Sequence, residues 1–258
     1  MKRELHLFLT AIMFYTRIPV PRWVAYDANN LNAATRYFPL VGYIVAFVSW
    51  LVYIVCQYIY SVEISVIMST LAGVLLTGAF HEDGLADVCD GFGGGWTKER
   101  ILSIMKDSRV GTYGVVGLIF ILLLKFFSLV QLSMSDFWYF GLVLLVAHAL
   151  SRGAAVFIIY TSIYAREDAD SKAKPVAQQL STRNLVMATL LAVIPLAGLM
   201  YINVFFLLII IPVISLTVYL YWYFNKWIGG YTGDCLGATQ QLNEVVIYLS
   251  VLAIWKFM

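Results

Sequence analysis

The chain predicts an all-α fold, a polytopic integral membrane helical bundle. It should hold about seven transmembrane helices, an N-terminal interfacial helix and a cytoplasmic helical hairpin. Three observations predict this. Charged residues make up 12% of the 258 positions, about half the usual share of a soluble domain. Apolar residues reach 61%, and the mean hydropathy is +0.82. Apolar stretches of around 20 residues recur, each long enough to cross roughly 30 Å of hydrocarbon. Such spans use up most of the length, so residues 1–258 should form one membrane-embedded domain.

The first element is MKRELHLFLTAIMFYTRIPVPRW, with a basic start, a short apolar run and no small-residue cleavage site. It ends in Arg17, Pro19, Pro21 and Arg22, and reads as a retained interfacial or partly inserted helix rather than a signal peptide. Spans follow at about 38–60, 64–80, 113–132, 137–160, 185–202, 204–224 and 242–257.

Charge orients them. The connectors near 61–63 and 133–136 carry Glu63 and Asp136 but no Lys or Arg. The connector 81–112 carries Lys98, Arg100, Lys106 and Arg109. The connector 161–184 carries Arg166, Lys172, Lys174 and Arg183. Lys226 lies in 225–241, and the N-terminal segment holds Lys2, Arg3, Arg17, Arg22 and Arg36. Cationic segments stay in the cytoplasm, so these four share the cytoplasmic side of a cell (inner) membrane; Lys256 alone argues the other way. The basic residues are scattered and the net charge is +2, which leaves no footprint for nucleic acid. Cys56, Cys89 and Cys235 form no CxxC pair, which argues against a zinc site or disulfide framework.

The exception to this apolar chain is FHEDGLADVCDG, residues 80–91, with Glu82, Asp83, Asp87 and Asp90 and no cation among them. On a helix, Asp83, Asp87 and Asp90 fall at i, i+4 and i+7, on one face; Glu82 points over an edge of the cluster. Like charges this close repel, and partial burial worsens the repulsion. A bound dication resolves it, and hard carboxylate oxygens suit Mg²⁺, with Mn²⁺ as the alternative. His81 reads as a structural hydrogen-bonder before a ligand.

Gly91, Gly93, Gly94 and Gly95 then end the helix and allow a reversal. Thr97 should cap a second helix, TKERILSIMKDSRVG. This hairpin would bring Asp107 toward Asp83 or Asp87, and the expected metal set is Asp83, Asp87, Asp90 and Asp107. Such a set at a membrane surface points to phosphoryl chemistry, with the metal binding substrate phosphates or an aspartate serving as general base.

Phosphates also attract cations. Arg109 follows the cluster. Lys125 and Arg152 lie inside apparent spans, where a charge is costly and functional by default; pairing with an acid remains the alternative for both. His148 precedes Arg152 by one turn and reads as a core residue. The last polar connector, GGYTGDCLGATQQLNE, places Asp234 among glycines. It serves either as a turn residue or as a further metal or substrate contact beside backbone open to a phosphate. Gly111, Gly114 and Gly117 offer a close-contact face for a homo-oligomer.

Several of these stretches together resemble the membrane-bound cobalamin synthases, also called adenosylcobinamide-GDP ribazoletransferases. They are FHEDGLADVCDG, MKDSRVGTYG, FYTRIPVP (14–21), YFPLVG (37–42), SRG (151–153) and GGYTGDCLGA (229–238), spread from about residue 8 to 245. The resemblance implies a Mg²⁺-dependent transfer. The 3′-hydroxyl of α-ribazole, or of its 5′-phosphate, attacks the phosphorus of adenosylcobinamide-GDP nearer the cobinamide, and GMP leaves. It implies metal or catalytic roles for Asp83, Asp87, Asp90 and Asp107, with Asp90 as general base. Substrate contacts would fall to Glu82, Arg109, Lys125, Arg152 and Asp234, in a site beneath the 161–184 connector.

Two rivals remain. DVCDG (87–91) reproduces the opening D-x-x-D-G of the CDP-alcohol phosphotransferases of lipid synthesis, but the Ala-Arg expected next is absent. An ion-coupled transporter would use the intramembrane Lys125 and Arg152, yet transport sites usually sit near the midplane, whereas these acids crowd one face.

Overall fold

The computed structural model describes residues 2–24, 27–134, 136–166 and 180–257. Lys172 and Lys174, expected on the connector over the site, lie outside the described residues. The elements run α1 (Lys2–Tyr15), α2 (Ala28–Ala34), α3 (Phe38–Gln57), α4 (Val62–Thr77), α5 (Phe80–Gly94) and α6 (Lys98–Ile104). They continue with α7 (Thr112–Leu132), α8 (Phe137–Thr161), α9 (Thr182–Val193), α10 (Leu196–Ile202), α11 (Ile210–Ile228) and α12 (Gly233–Lys256). Among the described residues there is no strand, as an all-α fold requires.

Among the described residues, five helical segments are long and apolar enough to cross a membrane: Asn30–Gln57, Thr112–Leu132, Phe137–Thr161, Thr182–Ile202 and Val204–Ile228. The pair α4 and α5, bent by 87°, makes a sixth if counted as one span. The difference from seven has two sources. α4 has only 16 residues, about 24 Å at 1.5 Å per residue. In α12 a polar run of Gln240, Gln241, Asn243 and Glu244 extends into the start of the apolar stretch expected at 242–257.

α8 forms the centre. Of its apolar window 78% is buried, against 28% for α7, for α9 with α10, and for α11. Ile119, Phe120, Phe127, Leu190 and Ile211 point outward. Apolar surface on this scale is foreign to a water-soluble monomer and natural against lipid.

Two devices set the position of α5. Gly78 (φ 68°) and Ala79 (φ 58°) are both left-handed, and two such residues in succession turn the chain sharply. Ala79 carries a Cβ in a region that L-residues rarely occupy. The Arg17 amide holds the corner by donating to the Leu76 carbonyl at 2.7 Å. The rings of Tyr15 and Phe38 then stack at 4.1 Å, and Phe38 stacks on His81 at 5.8 Å, tying α1, α3 and α5 together. His81 is thus a buried packing residue, 2% exposed.

Candidate active site

Described parts of the three long polar connectors meet at one end of the bundle, and backbone contacts bring them there. α5 crosses the start of α12 where Gly84 faces Asp234 and Gly237 faces His81 and Gly84. A Cβ at Gly84 would lie 2.9 Å from the Asp234 carbonyl oxygen, so both glycines serve helix-on-helix contact. On the other side, the Ala165 amide donates to the Tyr231 carbonyl at 2.8 Å and the Tyr231 amide to Ile163 at 2.9 Å. This clamp sets Arg166 beside Asp234.

Asp87 is half-buried on the inner side of the cluster. Burial, then the negative charges of Asp234 and Asp83, push its carboxyl up to about 7, and Arg166 offsets part of this. The Asp234 carboxyl is also raised, first by burial, against the pull of Arg166 and a Thr232 hydrogen bond. Arg166 Nη2 lies 2.8 Å from Asp234 Oδ2, and the Thr232 hydroxyl donates to the same oxygen at 3.2 Å. Asp83 is exposed. Asp83, Asp87, Asp234 and Arg166 therefore share one electrostatic neighbourhood, to which the charge of Asp90 also reaches, so among the described residues the acids outnumber the cation. Next to it opens a cleft of about 500 Å³, lined by Lys98, Ser103, Lys106 and Arg166 among others.

The four predicted metal ligands do not converge. Among the described residues no group of three or more His, Cys, Asp or Glu side chains forms a ready-made metal cage. Asp90 is buried, and Oδ2 accepts from the Gly111 amide at 2.6 Å while Oδ1 accepts from the Gly114 amide at 2.8 Å. It caps α7 from another helix, because Gly111 at the N-cap has no side chain to do so. A carboxylate at a helix N-terminus is also favoured by the helix dipole. Gly111 and Gly114 are needed here, since a Cβ on either would run into that carboxylate; Gly117 meets Cys89. The glycine face expected to join two copies is thus packed on α5 within the chain.

Asp107 is partly exposed beyond α6, which runs only Lys98–Ile104, capped by Thr97 as expected. Arg109 takes both Asp107 oxygens, Nη2 to Oδ2 at 2.7 Å and Nε to Oδ1 at 3.0 Å. The Arg109 hydrogen bonds hold that carboxyl near 2, so these two residues face each other instead of the cluster.

Lys125, Arg152 and Glu82 belong to an interior polar network. Lys125 Nζ lies 2.9 Å from Glu244 Oε1, with both side chains 4% exposed. Arg152 Nη1 donates to the His148 carbonyl at 3.0 Å, and Gln241 donates to Glu82 Oε1 at 2.9 Å. The network borders a cavity of about 30 Å³. Acid pairing, the alternative to phosphate binding, is what Lys125 does.

Asp90→Asn would put an amide NH₂ against one of the two backbone N–H groups and leave it unpaired, a cost of about 1–3 kcal/mol. A lower thermal unfolding midpoint, with turnover well above that of Asp87→Asn, is the expected result. Equal loss of turnover in the two variants would return Asp90 to the chemistry.

Sequence reasoning gave Arg166 no role in the site. The signal for it was indirect, an acidic cluster without a local cation. The cap by Asp90 had a clearer signal, a helix opening in Gly-Thr-Tyr-Gly without its own capping side chain.

A family model described as cobalamin-5-phosphate synthase matches residues 7–253. An adenosylcobinamide-GDP ribazoletransferase of Shewanella piezotolerans is 48% identical over 253 residues, covering 98% of this chain and 97% of that protein. Proteins of the same name from Shewanella oneidensis (46% over 255 residues, 98% and 95% covered) and Shewanella frigidimarina (45% over 252 residues, 98% and 96% covered) are similar throughout. No solved structure matches. A match of this length, on a helical bundle whose polar connectors gather carboxylates beside a basic cleft, establishes that the chain belongs to the cobalamin-5-phosphate synthase family.

Proposed function

We propose that the protein is an adenosylcobinamide-GDP ribazoletransferase dependent on Mg²⁺, with Mn²⁺ as a substitute. It transfers adenosylcobinamide phosphate to the 3′-hydroxyl of α-ribazole or α-ribazole 5′-phosphate. The new bond joins that oxygen to the phosphorus nearer the cobinamide; the bond to the GMP oxygen breaks, and GMP leaves with the electron pair. The observation that carries this is the Asp87 and Asp234 pair, negative charge that Arg166 offsets in part, at the lip of a cleft lined by Lys98, Glu99 and Lys106 among others.

The donor set fits a hard dication. Mg²⁺ commonly binds through one or two carboxylates together with substrate phosphates, and Asp87 and Asp234 supply two. When bound, the ion would neutralise the pyrophosphate and stabilise the leaving group. Arg166, Lys98 and Lys106 bind phosphate oxygens. Asp83, the exposed carboxylate, is open to an incoming hydroxyl and takes its proton. Asp90 positions α5 against α7. The site opens to the cytoplasm from a cell (inner) membrane, in keeping with the cationic connectors.

Purified protein in detergent with Mg²⁺, adenosylcobinamide-GDP and α-ribazole should release GMP in step with corrinoid product; corrinoid product without GMP would overturn the reading. Arg166→Ala should raise the KM for the donor about 10- to 100-fold, as expected for losing a charge-assisted contact. An unchanged KM would place the pyrophosphate elsewhere.

A further inference from the structure

A second basic pocket lies apart from this site, between α1, the turn Thr35–Tyr37 and the start of α9. It has a volume of about 240 Å³ and is lined by Arg3, Glu4, Arg36, Ser181, Arg183 and Asn184 among others. Three guanidiniums stand against one carboxylate. Arg36 is 7% exposed. Its Nη2 pairs with Glu4 Oε2 and its Nη1 donates to Asn184 Oδ1 at 3.1 Å. Its Nε is buried without a hydrogen-bond partner. The Glu4 carboxyl is held below its ordinary value, first by the Tyr37 hydroxyl at 2.7 Å and also by the charges of Arg36 and Arg183. Glu4 is thus shared between two arginines, and a buried guanidinium N–H is left to be satisfied.

The surroundings say what this excess of positive charge could take. Arg183 heads a helix face on which Val186, Leu190 and Ile194 follow at i+3, i+7 and i+11. These three are 53%, 59% and 60% exposed. The face belongs to Thr182–Ile202, long and apolar enough to cross a membrane. Leu5 of α1 is 52% exposed beside Arg3 and Glu4. A cationic pocket at the end of a lipid-facing apolar stripe matches a molecule with an anionic head and an acyl tail.

We propose that this pocket binds the headgroup phosphate of an anionic phospholipid, with Arg3 and Arg183 as donors beside the buried charge of Arg36 and the acyl chain along Val186 and Leu190. The bound lipid ties α1 to α9 at the membrane surface. Arg3 and Arg183 are exposed and take no part in the transfer site, so the proposal stands or falls separately from the proposed reaction.

Native mass spectrometry of the full-length protein tests it, titrating phosphatidylglycerol, phosphatidylcholine or inorganic phosphate into detergent micelles. The wild type should retain phosphatidylglycerol about tenfold better than the double variant Arg3→Gln/Arg183→Gln, with phosphatidylcholine retained equally by both. GMP release by the double variant confirms that it is folded, and Arg183→Gln alone, with a smaller loss, serves if the double variant expresses poorly. Equal retention of phosphatidylglycerol by all forms overturns the proposal. So does a parallel loss of both lipids, which would mean that only acyl chains are recognised. Displacement of phosphatidylglycerol by inorganic phosphate at equal concentration would also overturn it, assigning the pocket to the free ion.

Discussion

Asp87→Asn is expected to lower turnover by at least about 10³-fold, close to 4 kcal/mol of barrier, while leaving the fold intact. Asp87 is the carboxylate under the greatest electrostatic pressure at the site. Burial and the charges of Asp234 and Asp83 raise it to about 7, and Arg166 relieves only part of this. A dication between Asp87 and Asp234 would remove the repulsion, so the same arrangement that makes ionisation costly makes cation binding favourable. The sign of the pH dependence follows. Below about 7 the folded protein keeps a proton on Asp87, and Mg²⁺ must displace it. Affinity should therefore climb about tenfold per pH unit up to about 7 and flatten above it, as expected for metal binding coupled to loss of one proton. Calorimetry with Mg²⁺ or Mn²⁺ at about pH 6 and about pH 8, with donor present, reads this directly. In Asp87→Asn both the affinity and its pH slope should be lost. The same slope in that variant would show that another group takes up the proton.

The parts of this molecule that could be read from its sequence are those written in local pattern. Apolar runs of membrane length gave the helical bundle, the Lys and Arg distribution grouped the polar connectors that do meet at one end, and the i, i+4, i+7 spacing placed Asp83 and Asp87 together. What periodicity does not encode is which connector touches which. Asp90 has the spacing of a ligand, but its partners are amides 21 and 24 residues away. Arg166 meets Asp234 across 68 residues through a short backbone clamp. Asp107 found a partner two residues on, so the hairpin had no electrostatic reason to carry it to the cluster. Five helices, or six with the bent pair, meet the length and hydropathy requirement where seven were expected, for a related reason. Gln240, Gln241 and Glu244 of α12 face an internal cavity instead of water, and no window average distinguishes those two uses of a glutamate.

That glutamate carries the second large effect. Glu244→Gln or Lys125→Met should cost about 3–5 kcal/mol, because each removes the directly paired opposite charge from a partner in the bundle interior. Glu244 has no spare capacity to hide the loss. Oε1 takes Lys125 at 2.9 Å and the Tyr248 hydroxyl at 3.1 Å, and Oε2 lies 3.4 Å from His148 Nδ1. Thermal unfolding in detergent should fall by about 10 °C for either single change, scaling at about 2–4 °C per kcal/mol for a chain of this size. The double variant Lys125→Met/Glu244→Met should recover most of that loss, since apolar residues of similar volume often replace a buried pair at no net cost. Strict additivity of the two single changes would show that they do not act as a pair. Recovery of stability without recovery of turnover is the informative outcome. The neighbours Gln240 and Gln241 extend the network to Glu82 at the root of α5. If a methionine pair holds the bundle together but no longer seats that helix, the buried charges are kept for the position they give Asp87.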